Sequence, residues 1–156
     1  MAAQPHQYDL GLDKNPANYV PLTPLSFLER TAAIYPTMTS VVYEDRRFTW
    51  AETRERSHRL ASFLAGRGIG RGDTVAAMLP NIPAMYEAHF AVPMLGAVLN
   101  PLNIRLEPNS IAFQLDHGGA KAVLVDPEFA AVIEDAIALM SGPKPLLIDV
   151  DDPAFG

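Results

Sequence analysis

Four glycines at alternate positions, Gly66, Gly68, Gly70 and Gly72, are the first residues of this chain that could cradle a phosphate. A phosphate loop presents backbone N–H groups at a helix start, directly after a strand. Here the glycines follow an amphipathic stretch and precede an apolar one, which is the reverse order, and they lack the dinucleotide spacing. They read as a helix-to-strand turn. No GxxxxGK[ST] occurs. The four histidines, His6, His58, His89 and His117, form no HxxxH or HExxH pair, so they lack the spacing of a helical zinc site. His58 reads as a solvated helix residue. His117, beside Asp116, falls in a last helical turn, where a cation suits the helix dipole. Glu87 and His89 are two apart on a helix and face different ways; a satisfied polar group near a buried helix is the expectation for each. Ser62 and Ser110 have no base in view, and there is no GxSxG turn. Asp151-Asp152 reads as a pair of loop carboxylates rather than a metal site.

Asn100-Pro101-Leu102-Asn103 is placed more suggestively. It follows a predicted strand, at what would be the carboxyl end of a parallel sheet, where open α/β folds bind ligands. The two asparagines could aim a loop at a site, or fix a strand-to-loop bend through Asx-type hydrogen bonds. The bend is the expectation.

The elements that would hold these residues follow from local pattern. Residues 1–22 read as an extended N-terminal arm. Thr23-Pro24 starts a helix, with Leu25, Phe27, Leu28 and Ala32 or Ala33 as its apolar stripe and Pro36 as its stop. Val41-Val42-Tyr43 and Arg47-Phe48 flank the turn Glu44-Asp45-Arg46 of a β-hairpin. Thr49-Trp50-Ala51-Glu52 is a capping box. The helix it opens runs to about Ala65, with Thr53, Ser57, Leu60, Ala61 and Leu64 inward and Glu52, Arg54, Glu55, Arg56 and Arg59 mostly wet. Thr74 to Leu79 reads as a buried strand. A helix from Pro83 to about Leu95, with Asn81 as its cap, is apolar almost all round and is shortened or kinked by Pro93. Then come a strand at Ala97–Leu99, a helix from Pro108 to Gly118, a strand at Ala122–Val125, a helix capped by Asp126, and a strand from Leu146 to Val150. Strands alternating with helices from residue 74 onward specify an α/β fold: a hairpin and helices, then a βαβαβαβ segment with a mainly parallel sheet.

Composition narrows the function classes. The chain has 156 residues, 49% hydrophobic and 19% charged, which suits a packed domain rather than disorder. A net charge of −6 argues against non-specific nucleic-acid binding. With no cysteine, disulfides, thiolate metal sites and a cysteine nucleophile are excluded. The first twenty residues contain no apolar signal segment, and the stretch from Ala88 to Ile104 is too short and too broken to span a membrane, so a cytoplasmic protein is expected.

Several ordered motifs resemble the acyl-adenylate-forming, AMP-binding superfamily of acyl-CoA synthetases and acid–CoA ligases. They are Asn18-Tyr19-Val20-Pro21-Leu22-Thr23-Pro24 with Phe27-Leu28-Glu29-Arg30, then Phe48-Thr49-Trp50-Ala51-Glu52, Arg71-Gly72-Asp73-Thr74-Val75 with Leu79-Pro80-Asn81, Gly96 to Asn103, and Ala120-Lys121 leading into Val123-Leu124-Val125-Asp126. The resemblance implies a two-step reaction, in which a carboxylic acid and ATP give an acyl adenylate and CoA then displaces AMP. ATP, Mg²⁺ and CoA are the implied cofactors of the full-length family, and a carboxylic acid is its partner. The family's phosphate loop, adenine and ribose motifs and catalytic Lys lie beyond the matched region. Residues 23–156 are therefore expected to be the first, incomplete part of the AMP-binding N-terminal domain. The chain is expected to be inactive alone and to bind none of these ligands well. No catalytic, cofactor-binding or metal residue is assigned; Asn81, Pro101 and Asn103 match motif positions and are taken as scaffold. The alternative is a non-catalytic interaction module that self-associates or pairs through an exposed sheet edge or apolar face.

Overall fold

The computed structural model describes residue 11 and residues 13–150. Residues 13–23 run over the surface, with a turn at Asn15–Tyr19 held by side-chain and backbone bonds to Asn15. His6 and the pair Asp151-Asp152 lie outside the described residues.

Helix α1 (Pro24–Ile34) starts at the Thr23 cap and buries Leu28 and Ala32. Strands β1 (Thr39–Tyr43) and β2 (Arg46–Thr49) form the antiparallel hairpin. Its turn is shorter than the sequence suggests: Arg46 belongs to β2, and Glu44 takes φ 51° to let the chain reverse within two residues. Helix α2 (Trp50–Gly66) opens on the expected capping box. Thr49 Oγ1 accepts from Glu52 N–H at 3.2 Å, and Glu52 Oε2 accepts from Thr49 N–H at 2.8 Å. After Gly68 and Gly72, both at positive φ, the chain enters β3 (Thr74–Met78), α3 (Pro83–Met94), β4 (Val98–Pro101), α4 (Pro108–Gly118), β5 (Ala120–Val125), a short 3-10 turn at Pro127–Phe129, α5 (Ala130–Leu139) and β6 (Leu146–Asp149). No helix among the described residues is long and apolar enough to cross a membrane.

Four expectations need correction. Asn81 does not cap α3; Ile82 occupies that position, without a side-chain bond, and Pro83 fills the first turn. β4 extends through Asn100 and Pro101, because their backbones pair with Ala76 and Ala77. β5 starts two residues early at Ala120, as Gly119 caps α4 in the left-handed conformation and ends the turn at once. Asp126 caps the 3-10 turn rather than α5 itself, accepting from Glu128 N–H at 3.0 Å.

The four strands from β3 onward make one parallel sheet in the order β4-β3-β5-β6. From β3 the chain crosses to one side to form β4, then reverses across β3 to form β5 and continues outward to β6. Right-handed crossovers place helices on opposite faces when the direction reverses. Accordingly, α3 packs with α2 on one face, and α4 and α5 cover the other. Alternate residues of β3 serve the two cores: Ala76 and Met78 meet Ile111, Leu115 and Ile133, while Val75 and Ala77 meet Leu64, Ala88 and Val92. This explains why β3 reads as an unbroken apolar run.

Polar ties hold the layers in register. Glu29 on α1 accepts from Arg54 Nε at 2.5 Å and pairs with His58 Nε2 at 2.5 Å, so His58 is not merely solvated. Asp73 pairs with Lys121 at 2.6 Å and accepts from Gly70 N–H, tying the glycine turn to β5. Asp116 accepts from Ser141 and Gly142 N–H, fastening the loop before β6. Burial works to raise the Glu29 carboxyl, but the bonds from Arg54 and His58 outweigh it and hold the group below its ordinary 4.5. The Lys121 ammonium and then the Gly70 N–H hold Asp73 below 3.8. A depressed folded-state pKa contributes stability above the unfolded value, and that contribution is lost as pH falls through the folded value. The urea midpoint of the wild-type chain is therefore expected to fall below about pH 4.5 more steeply than that of Glu29→Gln/Asp73→Asn. Parallel curves from pH 7 to pH 3 would refute this assignment.

Candidate functional site

The sheet order reverses between β3 and β5, and open α/β folds bind ligands at the carboxyl ends of strands near such a point. Beyond Met78 and Pro101 the chain forms Leu79-Pro80-Asn81 and Leu102-Asn103-Ile104. These two segments line a hollow of about 480 Å³. Asn81, Met85 and His89 also border a second hollow, of about 650 Å³, walled on its far side by β1 at Ser40–Tyr43. The two meet across the first turns of α3 and make one crevice between the hairpin and the sheet.

The fold brings together Asn81, Pro101 and Asn103, the three motif positions matched in the sequence, and adds His89 to them. It does not bring Asn100 with them. That side chain sits at the outer edge of β4 with Thr74, Phe113, His117 and Gly118. Asn103 Oδ1 accepts from Arg105 N–H at 3.0 Å, the Asx-type bend anticipated for this segment. His89 Nδ1 lies 2.8 Å from Met85 O. A carbonyl can only accept, so Nδ1 carries a proton and donates to it. His117 stacks on Phe113 at the helix end.

Two buried polar groups beside the crevice were not legible as partners in the sequence. Glu87 is 7% exposed on the inner side of α3. It accepts from Arg56 Nε at 2.5 Å and from Arg56 Nη2 at 3.3 Å. Arg56 also lies over the Phe48 ring at 5.0 Å, so it leaves the wet face of α2 that its spacing assigned it. One guanidinium thus links the hairpin wall of the crevice to its helical wall. The available signal was a single carboxylate in an otherwise apolar helix, which burial obliges to find a cation. Asp126, fully buried at the end of β5, donates its N–H to Met78 O at 3.1 Å and so joins the ends of β5 and β3. Its Oδ1 caps the following turn, while Oδ2 has no hydrogen-bond partner among the described residues.

The crevice is apolar with neutral polar groups, and no Lys or Arg lines either hollow. Among the described residues no three His, Cys, Asp or Glu side chains are grouped to hold a metal. A nucleotide triphosphate with its Mg²⁺ needs cations, helix N-termini or an acidic ligand set. The lining holds the start of α3 but neither a cation nor an acidic ligand set, so no catalytic step is derived from it.

The AMP-binding enzyme family matches residues 28–155. The chain belongs to the AMP-binding enzyme family. An acetate/butyrate–CoA ligase of Arabidopsis thaliana, peroxisomal by name, is 52% identical over 147 residues, covering 90% of this chain and 26% of the ligase. An acetate–CoA ligase of Humulus lupulus is 50% identical over 147 residues, with the same two shares. Among solved structures, a fatty acyl CoA synthetase of Mycobacterium tuberculosis superposes with a TM-score of 0.75 at 31% identity, covering 84% of this chain and 27% of the synthetase. The O-succinylbenzoate coenzyme A synthetase of Bacillus subtilis, solved with ATP and a magnesium ion, superposes with a TM-score of 0.68 at 30% identity, covering 79% of this chain and 32% of the synthetase. The chain therefore spans about a quarter of the length of the curated relatives it matches. Its hairpin and parallel four-stranded sheet match the N-terminal domain of adenylate-forming CoA ligases.

The Arg56 link has a direct consequence for the crevice. Arg56→Ala leaves Glu87 buried without its cation and releases Phe48, so amides of the β1–β2 hairpin are expected to exchange about tenfold faster or more, given the ~1.5–3 kcal/mol of a charged hydrogen bond. Arg59→Ala, which removes only an exposed ion pair with Glu55, serves as the control and is expected to leave them unchanged. Equal protection in both variants would show that Arg56 does not join the walls.

Proposed function

We propose that this chain is the N-terminal part of an AMP-forming acid–CoA ligase and that it acts as scaffold in that enzyme. The match of the AMP-binding family to residues 28–155, with acid–CoA ligases about half identical over a quarter of their length, is the observation that carries this reading. In the complete protein, a carboxylate oxygen of a small acid attacks the α-phosphorus of ATP and pyrophosphate leaves. The CoA sulfur then attacks the acyl carbon and AMP leaves with the bonding pair. Activating the acid this way solves a chemical problem, since a carboxylate repels nucleophiles and has a poor leaving group.

This segment's contribution is positional. β3, β4 and β5 present their carboxyl ends side by side, and the Arg56 link holds the hairpin against them. Charge stabilisation on the phosphates needs preorganised cations, and no Lys or Arg lines the crevice. Accordingly, the 156-residue chain alone is expected to catalyse no acid-dependent exchange of labelled pyrophosphate into ATP. The complete protein carrying this segment is expected to do so with acetate or butyrate. Exchange by the short chain would overturn its scaffold role; a complete protein silent towards every acid offered would overturn the ligase reading.

The cytoplasm is the compartment proposed for it, as against the peroxisome that the Arabidopsis relative's name gives. Fractionation of cells expressing the complete protein, against a peroxisomal marker, checks this; co-sedimentation with that marker would refute it and align the protein with the peroxisomal Arabidopsis relative.

A further inference from the structure

The positive charge that the crevice lacks is gathered at the opposite end of the sheet. At the amino ends of β5 and β6 a cleft of about 390 Å³ opens between the last turns of α2 and α4 and the loop before β6. Its floor is apolar: Ile69, Leu115, Ala120 and Met140 are all buried. Arg67, Lys121 and Lys144 line it as well. No Lys or Arg lines the two hollows of the crevice, the hollow beside Phe27 and Trp50, or the one at the outer edge of β4. An apolar cavity with a few placed polar groups is the usual form of a small-molecule site.

The commitments of these cations decide what the cleft could hold. Helices α2, α4 and α5 all end here, and bare terminal carbonyls would repel an anion. They are not bare. Gly68 and Ile69 N–H donate to carbonyls of α2, Gly119 N–H to those of α4, and Lys144 Nζ to Ile137 O and Met140 O at the end of α5. Lys121 is paired with Asp73. Asp116, the one carboxylate in the lining, accepts from Ser141 and Gly142 N–H. Of the three cations Arg67 alone is uncommitted. Its guanidinium rests over the Phe63 ring at 4.9 Å and bonds to no carboxylate or carbonyl among the described residues. The wall is preformed, since a Cβ added at Gly142 would lie 2.8 Å from Asp116 Oδ1 and the loop is therefore seated directly on α4.

We propose that this cleft binds an aliphatic carboxylate, with its chain on the Ile69–Met140 floor and its head on the Arg67 guanidinium. One uncommitted cation balances one negative charge, so a carboxylate suits the cleft better than a phosphate dianion. A planar guanidinium meets both carboxylate oxygens at once. Arg67 gives up Phe63 to do so, a contact worth little at an exposed site. The cleft and the crevice lie at opposite ends of the strands, and the proposal does not depend on the ligase reading.

The test titrates the isotope-labelled chain with octanoate and follows its amide shifts. Saturable shifts are expected at Gly68, Gly119 and Gly142, with Asn81 and Asn103 unmoved. Octanol has the chain without the charge, and inorganic phosphate the charge without the chain; each is expected to bind about tenfold more weakly or worse. Arg67→Gln is expected to weaken octanoate about tenfold, and because Arg67 is exposed this variant keeps its fold. Arg59→Gln, which removes a cation of the same helix outside the cleft, is expected to leave the affinity unchanged. Shifts that never saturate, or that fall at Asn81 and Asn103 instead, overturn the site. Octanol binding as tightly as octanoate overturns it by making the cleft a plain apolar surface, and phosphate binding as tightly does so by making any anion the occupant. Equal affinity in the wild type and Arg67→Gln, or an equal loss in Arg59→Gln, overturns the role of Arg67 and the proposal with it.

Discussion

Burial of β3 on both faces is the constraint on which the rest of the fold depends. A strand flanked by parallel neighbours and covered above and below can carry no polar side chain without a partner. Thr74 begins β3, and Val75 to Met78 are then fully buried. Because successive residues point to opposite faces, the same four residues organise two cores, and each core selects its own helices. The crossovers follow from this. The chain must leave β3 on one face to make β4 and return over the other to make β5, which fixes where the sheet order reverses. The crevice, the end-to-end bond from Asp126 N–H to Met78 O, and the meeting of Asn81 with Asn103 are all consequences of that reversal.

The Arg56–Glu87 pair shows how the same constraint reaches the polar groups. Helix α3 lies between the sheet and α2, so a carboxylate on its inner side is shut off from water. A buried charge is tolerated when its partner is hydrogen-bonded in good geometry; alone it costs several kcal/mol. Arg56 meets that need with two donors of its planar fork and still offers a face to Phe48. A two-stranded hairpin is marginal by itself in water. Here it is held by the packing of Tyr43 onto the sheet's core and by the guanidinium beneath Phe48. The hairpin's position against the crevice is thus set partly by the electrostatic need of a different helix.

Much of the architecture was legible because the signals were local. Thr49 and Glu52 stand at capping-box spacing, and Pro24 follows Thr23; each acts within one turn of chain. Strand–helix alternation from Thr74 onward then left few topologies to consider. What failed to show was always a long-range fact. Asn100 and Pro101 looked like loop because proline is excluded from central strands, and nothing nearby announces that β4 is an edge whose outer side can accept it. Arg56 looked wet because helical periodicity reports which side of α2 is apolar, not that Glu87, thirty-one positions on, would draw it inward. The unpartnered oxygen of Asp126 is invisible for the same reason: the sequence shows a cap, and only packing shows that the other oxygen is buried.

The motif positions illustrate a further separation, between where a site is built and where its chemistry resides. Asn81, Pro101 and Asn103 converge at strand ends, as a ligand-binding α/β fold would have them, yet each has a structural duty there. Asn81 and Pro80 make the sharp turn into α3, Pro101 closes one donor of the sheet edge, and Asn103 bends the chain through its bond to Arg105. Around them the crevice offers an imidazole and amides but no Lys or Arg, and phosphoryl transfer is above all a problem of placing positive charge and N–H donors where negative charge develops. Residues at the ends of strands can therefore serve geometry alone. A one-residue slip of β4 against β3 would turn the side chain of Pro101 to the other face of the sheet.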